Sequence, residues 1–586
     1  MAKKKDACTT IAEVVARNNG FSDTSFLDVW EKKWDEYGYK VFGLNKADEI
    51  IRDCLGCDME VAILGDYDVD GVCATAIFRK MFLALGFTHV YCRTPKRFTE
   101  GYGMNMSMLD ELDKISPLYK LIITCDNGIA AADVISAAKE RGHTVIVTDH
   151  HQVPVDEMGY PVYPPADLII NPAAGTGADF TSYCGAAIAW KLTEYMLNKY
   201  GPAGLTDPAY IDVSLECRFL AGIATICDVM PLREENHRLV AWAMENAHKA
   251  PRGLEILMDE LFIQKLNEQD VGFRIGPCLN APGRLYDHGS AKALDLLIRS
   301  SESELQMLAK ELKDDNEERK NQVTEALVAA EQAIEHLSAE KNVPIILHIP
   351  DIGEGIIGIV AGRVCEKYRT PAIVLTNTED GKLKGSARSV PEINMKELLD
   401  ETYKVEGGDV LLGYGGHPGA AGLTVAADRY DEFYNTTMLV AKSYGYTPPE
   451  TVEIVYDLEI PASEIASSVS KLAEFAPYGE GNPRPVFKVT GFDILPVDGK
   501  FINRIGEKGI KFQGSVAEAV SFDIKEIPEG EYRKVTLYGY LGKTYFQGEE
   551  RLQVEFFSME NETPQPKVTD LAAKLKNMAK AKTPVA

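Results

Sequence analysis

Four short stretches of the chain carry residues able to do metal-assisted chemistry. Asp66-Tyr67-Asp68-Val69-Asp70-Gly71 follows the apolar run Ile63-Leu64. Cys125-Asp126-Asn127-Gly128 follows Leu121-Ile122-Ile123-Thr124, and Asp149-His150-His151 follows Val145-Ile146-Val147-Thr148. Further on, Gly222-Ile223-Ala224-Thr225-Ile226-Cys227 ends in Asp228. Asp and His without a cysteine ligand suit Mn²⁺ or Mg²⁺ better than structural zinc. Asp66-x-Asp68-x-Asp70-Gly71 also opens like an EF-hand, but the twelfth position is Ile77 where the bidentate Glu belongs, which excludes that calcium site. Singly, each stretch reads as structure: an Asp after a strand caps a helix or closes a turn, and two histidines can be held by hydrogen bonds. Convergence of all four on one site is the metal-centre prediction.

Such convergence requires a scaffold. From residue 59 to about 230 short apolar runs alternate with helical stretches, the pattern of a parallel sheet covered on both faces. Ligands of such sheets gather outside the carboxyl ends of the strands, so the four apolar segments are expected to deliver their Asp or His residues at that edge. Asp66 and Asp68, two residues apart, are expected to face one side. Residues 185–300 read as largely helical. Ser303–Glu340 carries almost no Gly or Pro and reads as one long connecting helix. A smaller α/β region starts at Pro344, ends near Tyr446, and is followed by the boundary Thr447-Pro448-Pro449-Glu450. Beyond it, period-2 alternation in Val452–Ile460, Val486–Leu495, Lys511–Val516, Val535–Leu541 and Leu552–Phe556 predicts a small antiparallel barrel. The expected organisation is a helical lead-in (1–58), an α/β catalytic domain (59–301), a connecting helix (302–342), a second α/β domain (343–446), a barrel (450–560) and a flexible tail (561–586).

The 586 residues carry 62 Lys+Arg against 88 Asp+Glu, a net charge of −26. That balance argues against coating nucleic acid with the whole surface, but leaves room for a local basic channel. No apolar run reaches the ~18 residues of a membrane span, and no apolar segment follows the basic Met1–Lys5 as a signal peptide would require. Eleven cysteines without paired metal-ligand spacing read as free thiols of a cytoplasmic protein.

Asp149-His150-His151, with Asp66-Tyr67-Asp68-Val69-Asp70-Gly71 upstream, resembles the DHH phosphoesterase superfamily. Gly415-Gly416-His417-Pro418-Gly419-Ala420-Ala421-Gly422 resembles the GGHxxAAG motif of the DHH-associated domain. Pro95-Lys96-Arg97 with Glu100-Gly101-Tyr102-Gly103, Leu279–Leu285, Gly355–Ala361 and Tyr478–Pro483 narrow the resemblance to the RecJ family over residues 60–560. DHH alone is a weak signal; the ordered set is a strong one.

The resemblance implies a DHH domain joined by a long helix to a DHH-associated domain and an OB-fold. It implies a 5′→3′ exonuclease specific for single-stranded DNA, acting in repair and recombination. One divalent cation would be held by Asp66, Asp126 and shared ligands, the second by Asp68, His150 and Asp228. Mn²⁺ is favoured over Mg²⁺. His151 would contact the scissile phosphate, and Asp149 would orient the histidines. Two ions ~4 Å apart activate water and stabilise both attacking and leaving oxygens. A 5′-phosphate pocket is implied at Ser386 and Arg388, with Arg284, Gln322 and Arg363 as neighbours and Arg97, Asn280 and His417 along the strand. Arginine suits phosphate because its planar fork donates two hydrogen bonds. In the barrel, Lys500, Arg504, Lys508 and Lys511 interleave with Phe501 and Phe512, as in grooves that grip single strands. Relatives commonly carry Gly at the position of Ala387, whose methyl is therefore expected to crowd the terminal phosphate. Some carry a His where Leu64 stands, a ligand absent here. Family members cooperate with single-strand-binding protein, for which the Lys-rich tail is the candidate contact, and a monomer is expected. Two other readings are a DHH phosphodiesterase of short oligoribonucleotides or cyclic dinucleotides, and a non-catalytic DNA-binding scaffold. The OB-like segment weighs against the first and the complete acidic set against the second.

Overall fold

The computed structural model describes residues 2–23, 27, 30, 41–156, 158–175, 180–200, 208–336, 343–449, 453–497, 500–505, 509–522, 532–546 and 549–562. Residues 24–26, 28, 29 and 31–40 of the expected lead-in, Lys508 and nearly all of the tail lie outside them. The chain forms two compact units: residues 1–31, 232–234 and 453–586, and residues 32–231 and 235–452.

The larger unit opens with a five-stranded sheet: β1 (Glu60–Gly65), β2 (Val90–Arg93), β3 (Lys120–Cys125), β4 (Thr144–Thr148) and β5 (Leu168–Ile170), in the order β2-β1-β3-β4-β5. Every neighbouring pair is parallel. The order reverses at β1, which places a crevice between the carboxyl ends of β1 and β3. Helix α1 (Val69–Ala84), α2 (Gly185–Tyr200) and α3 (Pro208–Cys227) pack on one face. Val72, Phe78, Phe82, Ile188, Trp190, Phe219 and Leu220 form that core with Ile63 and Ile123. Leu64 points the other way, into an apolar cluster with Met108, Ile122 and Val147.

Only three of the four acidic stretches follow strands. Gly222–Cys227 is the last part of α3, and the Asp228 N–H continues it by donating to the Ala224 carbonyl at 2.9 Å. A short apolar run suits a buried helix as well as a strand, and here Leu220, Ala221, Ile223 and Ala224 are all buried. Asp66 and Asp68 also do not share a strand, because β1 stops at Gly65 and Asp68 is the N-cap of α1.

Helix α4 (Gly276–Leu285) packs against α5 (Glu302–His336), whose far end packs on the second α/β region. That region holds β6 (Ile345–His348), α6 (Ile357–Tyr368), β7 (Ala372–Asn377), β8 (Lys382–Arg388), β9 (Leu411–His417) and β10 (Ala420–Ala426), with sheet order β9-β10-β8-β7-β6. Along β8 the odd positions Leu383, Gly385 and Ala387 are buried, while Lys382, Lys384, Ser386 and Arg388 face outward.

The smaller unit is a sheet of seven strands: β11 (Leu458–Pro461), β12 (Phe487–Asp493), β13 (Asn503–Ile505), β14 (Gly509–Gln513), β15 (Glu518–Ser521), β16 (Lys534–Phe546) and β17 (Glu549–Asn561). A bridge between Leu495 and Gln513 closes β12-β16-β17-β15-β14 into a five-stranded barrel, with β11 and β13 appended. Strand β15 escapes the period-2 pattern because all four of its residues are buried. The expected 1–58 lead-in divides. Ala2–Lys4 pairs with Ile454–Tyr456 and Ile11, Val14 and Val15 enter the barrel core, whereas Leu44, Ala47 and Ile51 pack in the core of the first sheet. No helix among the described residues is long and apolar enough to cross a membrane, and all eleven cysteines are free thiols.

Candidate metal centre

The loop from β1 to α1 turns so tightly that only glycine fits at its two hinges. A Cβ on Gly65 would lie 2.0 Å from Thr75 Oγ1, and one on Gly71 2.5 Å from Asp66 N. Within the loop the three aspartates diverge. Asp66 is buried and accepts from Gly103 N at 3.3 Å. Asp68 Oδ1 caps α1 by accepting from Asp70 N (3.0 Å) and Gly71 N (3.1 Å), which leaves its second oxygen available. Asp70 is buried and accepts from Gly185 N (2.5 Å) and Ala186 N (2.8 Å), so it caps α2 from outside that helix.

Asp126 follows β3 in the left-handed conformation (φ 62°), a costly state for a side chain larger than glycine's. Its carbonyl accepts from Tyr102 Oη at 2.7 Å. Asn127 ties the two strand ends together, donating to the Leu64 and Cys125 carbonyls at 3.0 Å each. Asp149 is buried and accepts from Ile129 N (2.9 Å), His150 N (2.8 Å) and His151 N (3.1 Å). It also accepts from His151 Nδ1 (2.8 Å), which orients that ring. The Tyr102 hydroxyl lies 3.0 Å from His151 Nδ1.

His150 Nε2 stands 3.1 Å from Asp126 Oδ1, 3.6 Å from Asp228 Oδ2 and 3.9 Å from Asp70 Oδ2. Asp126 Oδ1, His150 Nε2 and Asp228 Oδ2 are buried without a hydrogen-bond partner. Three converging acceptor-capable atoms with no donor between them fit a divalent cation. Ligand atoms of Asp66, Asp68 and Asp126 lie within 4.8 Å of one another, as do those of Asp126, His150 and His151, and those of Asp70, His150 and Asp228. Asp68 thus groups with Asp66, while Asp70, both of whose oxygens accept from the α2 N-terminus, stands beside His150 and Asp228.

The electrostatics carry the same message. Burial, then Asp68, raises the Asp66 carboxyl well above its ordinary range; burial and the surrounding aspartates do so for Asp126. Asp68 is raised by burial and Asp70, and Asp228 is pushed up to about 8 by burial, Asp70 and Asp68. Burial lowers His150. For His151 burial is outweighed by the Asp149 bond and charge, which raise it. Asp66, Asp68, Asp126 and Asp228 are thus disfavoured as anions until positive charge arrives.

On the phosphate side, the Arg97 guanidinium lies 4.4 Å above the Tyr67 ring, and Tyr67 meets Tyr102 edge-on at 6.3 Å. Arg284 donates to the Gly355 carbonyl at 3.2 Å, and burial, with Arg97 and Arg319 nearby, lowers it to about 10. Asn280 lies one turn before Arg284 on α4, on the same face. Arg388 donates to Ser386 Oγ (3.0 Å) and the Ala387 carbonyl (2.8 Å). A Cβ on Gly358 would lie 3.1 Å from both Ser386 Oγ and Arg388 Nη2, so the start of α6 closes on this pair. Gln322 and Arg284 line a cleft cavity of about 750 Å³ between the two α/β regions. Arg363 is exposed on α6, and His417 is exposed at the end of β9. Gly416 (φ 150°) lets that hairpin close, since a Cβ there would meet the Ala420 carbonyl at 2.3 Å.

Ala387 corrects an expectation. Its methyl is fully buried among Ile373, Leu375 and Leu383, on the opposite side of β8 from Ser386 and Arg388, so it does not crowd a phosphate held there. The barrel corrects another: Phe512 is fully buried in the barrel core, Phe501 packs against that core, and Lys511 pairs with Glu518 at 2.6 Å. Neither ring is a free stacking platform.

Sequence reasoning missed three participants. Asp70 lies within the Asp66–Gly71 stretch, where its i, i+2 spacing is the available signal. Tyr102 lies within Glu100–Gly103, and nothing in that stretch alone assigns it a role. Arg319 had no motif; burial and Arg363 lower it, and Asn316 Oδ1 accepts from its Nε and Nη2 at 3.1 and 2.9 Å.

Residues 60–215 match the DHH family N-terminal domain, 342–441 the DHHA1 domain and 456–557 the RecJ OB domain. The single-stranded-DNA-specific exonuclease RecJ of Salmonella typhimurium is 30% identical over 541 residues, covering 87% of this chain and 89% of that protein. A crystal structure of RecJ in complex with Mn²⁺ from Thermus thermophilus aligns with TM-score 0.73 at 26% identity, covering 94% of this chain and 76% of that one. A crystal structure of exonuclease RecJ bound to manganese aligns with TM-score 0.58 at 30% identity, covering 70% and 97%.

Proposed function

The chain belongs to the RecJ family of single-stranded-DNA-specific exonucleases, and from that premise we propose that it removes nucleotides from the 5′ end of single strands using two divalent cations. The carrying observation is the partnerless buried trio Asp126 Oδ1, His150 Nε2 and Asp228 Oδ2. In this reading Asp66, Asp68 and Asp126 hold one cation and Asp126, His150 and Asp228 the other, Asp126 being shared. Asp70 steadies the second group from the α2 N-terminus. Divalent cations bound there supply a nucleophilic water at neutral pH and offset charge on the reacting phosphate. The manganese of the two aligned RecJ crystal structures supports Mn²⁺ as the working ion.

The protein's own groups do the positioning. Asp149 orients the His151 ring through Nδ1, which leaves Nε2 as the nitrogen to bond a non-bridging phosphate oxygen. Arg284, Arg388 and Ser386 grip the terminal phosphate, with Arg97 reaching from the metal side; anchoring one end sets the polarity. Barrel plus cleft favours long single strands over dinucleotides. The free thiols support a reducing compartment such as the cytoplasm. The test is Mn²⁺-dependent digestion of strands labelled at either end, with and without a 5′ phosphate, beside duplex and RNA controls. Release of label from the 5′ end of single-stranded DNA is expected; release only from the 3′ end overturns the polarity.

A further inference from the structure

Arg97 sits on a loop held at both ends by a carboxylate. At its base the buried Arg93 donates to Glu100 at 3.0 and 2.8 Å, and Glu100 also accepts from Lys96 N at 2.9 Å. At its tip three consecutive residues are bound by one partner, Asp287. The Asp287 carbonyl accepts from Arg97 N at 2.8 Å. Its Oδ1 accepts from Phe98 N (2.8 Å) and Thr99 N (3.0 Å), and its Oδ2 from Thr99 Oγ1 (2.6 Å). Asp287 lies three residues after Arg284, just past the end of α4. The loop carrying Arg97 is therefore referenced to the same backbone segment that carries Arg284, although the two lie far apart in sequence.

We propose that Asp287 is a positioning residue for end recognition, fixing Arg97 above Tyr67 so that Arg97 and Arg284 address the terminal phosphate as one unit. This rests on the reading of those two arginines as part of the phosphate grip. The hydrogen bonds fix the backbone of residues 97–99, and the Arg97 side chain then needs to settle only its own rotamers on the Tyr67 ring. Without the Asp287 acceptors, three N–H and O–H donors return to water and the loop gains freedom, at a cost paid when the phosphate is bound.

The experiment compares kcat and KM of the full-length protein on matched single strands bearing a 5′ phosphate or a 5′ hydroxyl. Asp287→Ala is expected to reduce the preference for the phosphorylated end about five-fold, through KM, with 5′-hydroxyl strands cut as by the parent. Asp287→Asn keeps an oxygen acceptor for Phe98 and Thr99 and is expected to stay within about two-fold of the parent. Arg97→Ala should cost about ten-fold in preference, and adding Asp287→Ala to it should cost nothing more, because Asp287 acts through Arg97. Equal losses on both strands, or additivity in the double variant, overturns the proposal. A parent that shows the preference alongside an unchanged Asp287→Ala defeats this inference alone. A parent indifferent to the 5′ phosphate defeats the phosphate-grip reading and this inference with it.

Discussion

The larger unit contains two clusters of like charge that mirror each other. One gathers Asp66, Asp68, Asp126 and Asp228, whose carboxyls are all raised by burial and mutual repulsion. The other is a row in which Arg284 feels Arg97 and Arg319, and Arg319 feels Arg363, and burial lowers Arg284 and Arg319. Elsewhere the arginines are mostly neutralised on the spot, as Arg141 is by Asp110 and Asp113, or Arg252 by Glu302. In a chain of net charge −26, carboxylates are abundant, so arginines left beside one another mark a place kept open for an external anion. The carboxylate cluster is likewise kept open for cations. The clusters touch electrostatically: Asp68 supports the charge of Arg284. On the proposed function, substrate phosphates and divalent cations would supply the opposite charge that each cluster lacks.

The comparison breaks most sharply at the cation end. Asp126→Ala and Asp228→Ala are each expected to lower Mn²⁺-dependent kcat by about 10³-fold or more, since every ligand of the cluster is shared or adjacent. Activity near the parent level in either variant would remove the metal centre from the argument. At the anion end, Arg284→Ala should lower kcat/KM on 5′-phosphorylated strands by about 10- to 100-fold, the weight of a charge-assisted contact to phosphate. That loss should exceed the one on 5′-hydroxyl strands. Equal losses would separate Arg284 from the terminal phosphate.

Stability sharpens the comparison further. A raised carboxyl means the ionised form is less favourable in the folded protein than in the unfolded chain. Asp126→Asn should therefore raise the melting temperature of the metal-free protein by a few degrees, corresponding to about 1–2 kcal/mol, while abolishing the further rise that Mn²⁺ gives the parent. A metal-free variant that melts lower than the parent would mean the cluster is not electrostatically strained. Calorimetry with and without Mn²⁺ decides it.

Much of this site was legible because its parts are local. A strand that ends in Asp and a helix that follows leave a readable trace, so Asp66, Asp126 and His150 were found from the apolar runs before them. The resemblance supplied Arg284 and Ser386, which no periodicity singles out. What stayed hidden is non-local. Asp228 reaches His150 from the end of a helix, and Leu220–Cys227 is apolar enough for a strand or a helix, so only its packing decides which. Asp70 serves α2, more than a hundred residues away, through two backbone bonds that sequence does not display. Arg319 is visible only once α4 and α5 lie side by side. In the barrel, period-2 alternation locates strands but not which aromatic face looks inward, and only the structure places Phe512 in the core.

The smallest predicted effect falls on Ala387, the residue that seemed to threaten the anion cluster. Strand β8 alternates, so the neighbours Ser386 and Arg388 lie on the face opposite the Ala387 methyl, which is buried with Ile373 and Leu423. Ala387→Gly removes that methyl from the core and loosens the strand backbone, a cost of about 0.5–1 kcal/mol in stability. It changes nothing on the cleft side, so the preference for a 5′-phosphorylated strand is expected to stay within about two-fold of the parent. A clear gain in that preference would mean that β8 bends enough in the bound state to bring position 387 against the phosphate, and the strict division of the strand into a gripping face and a packing face would then fail.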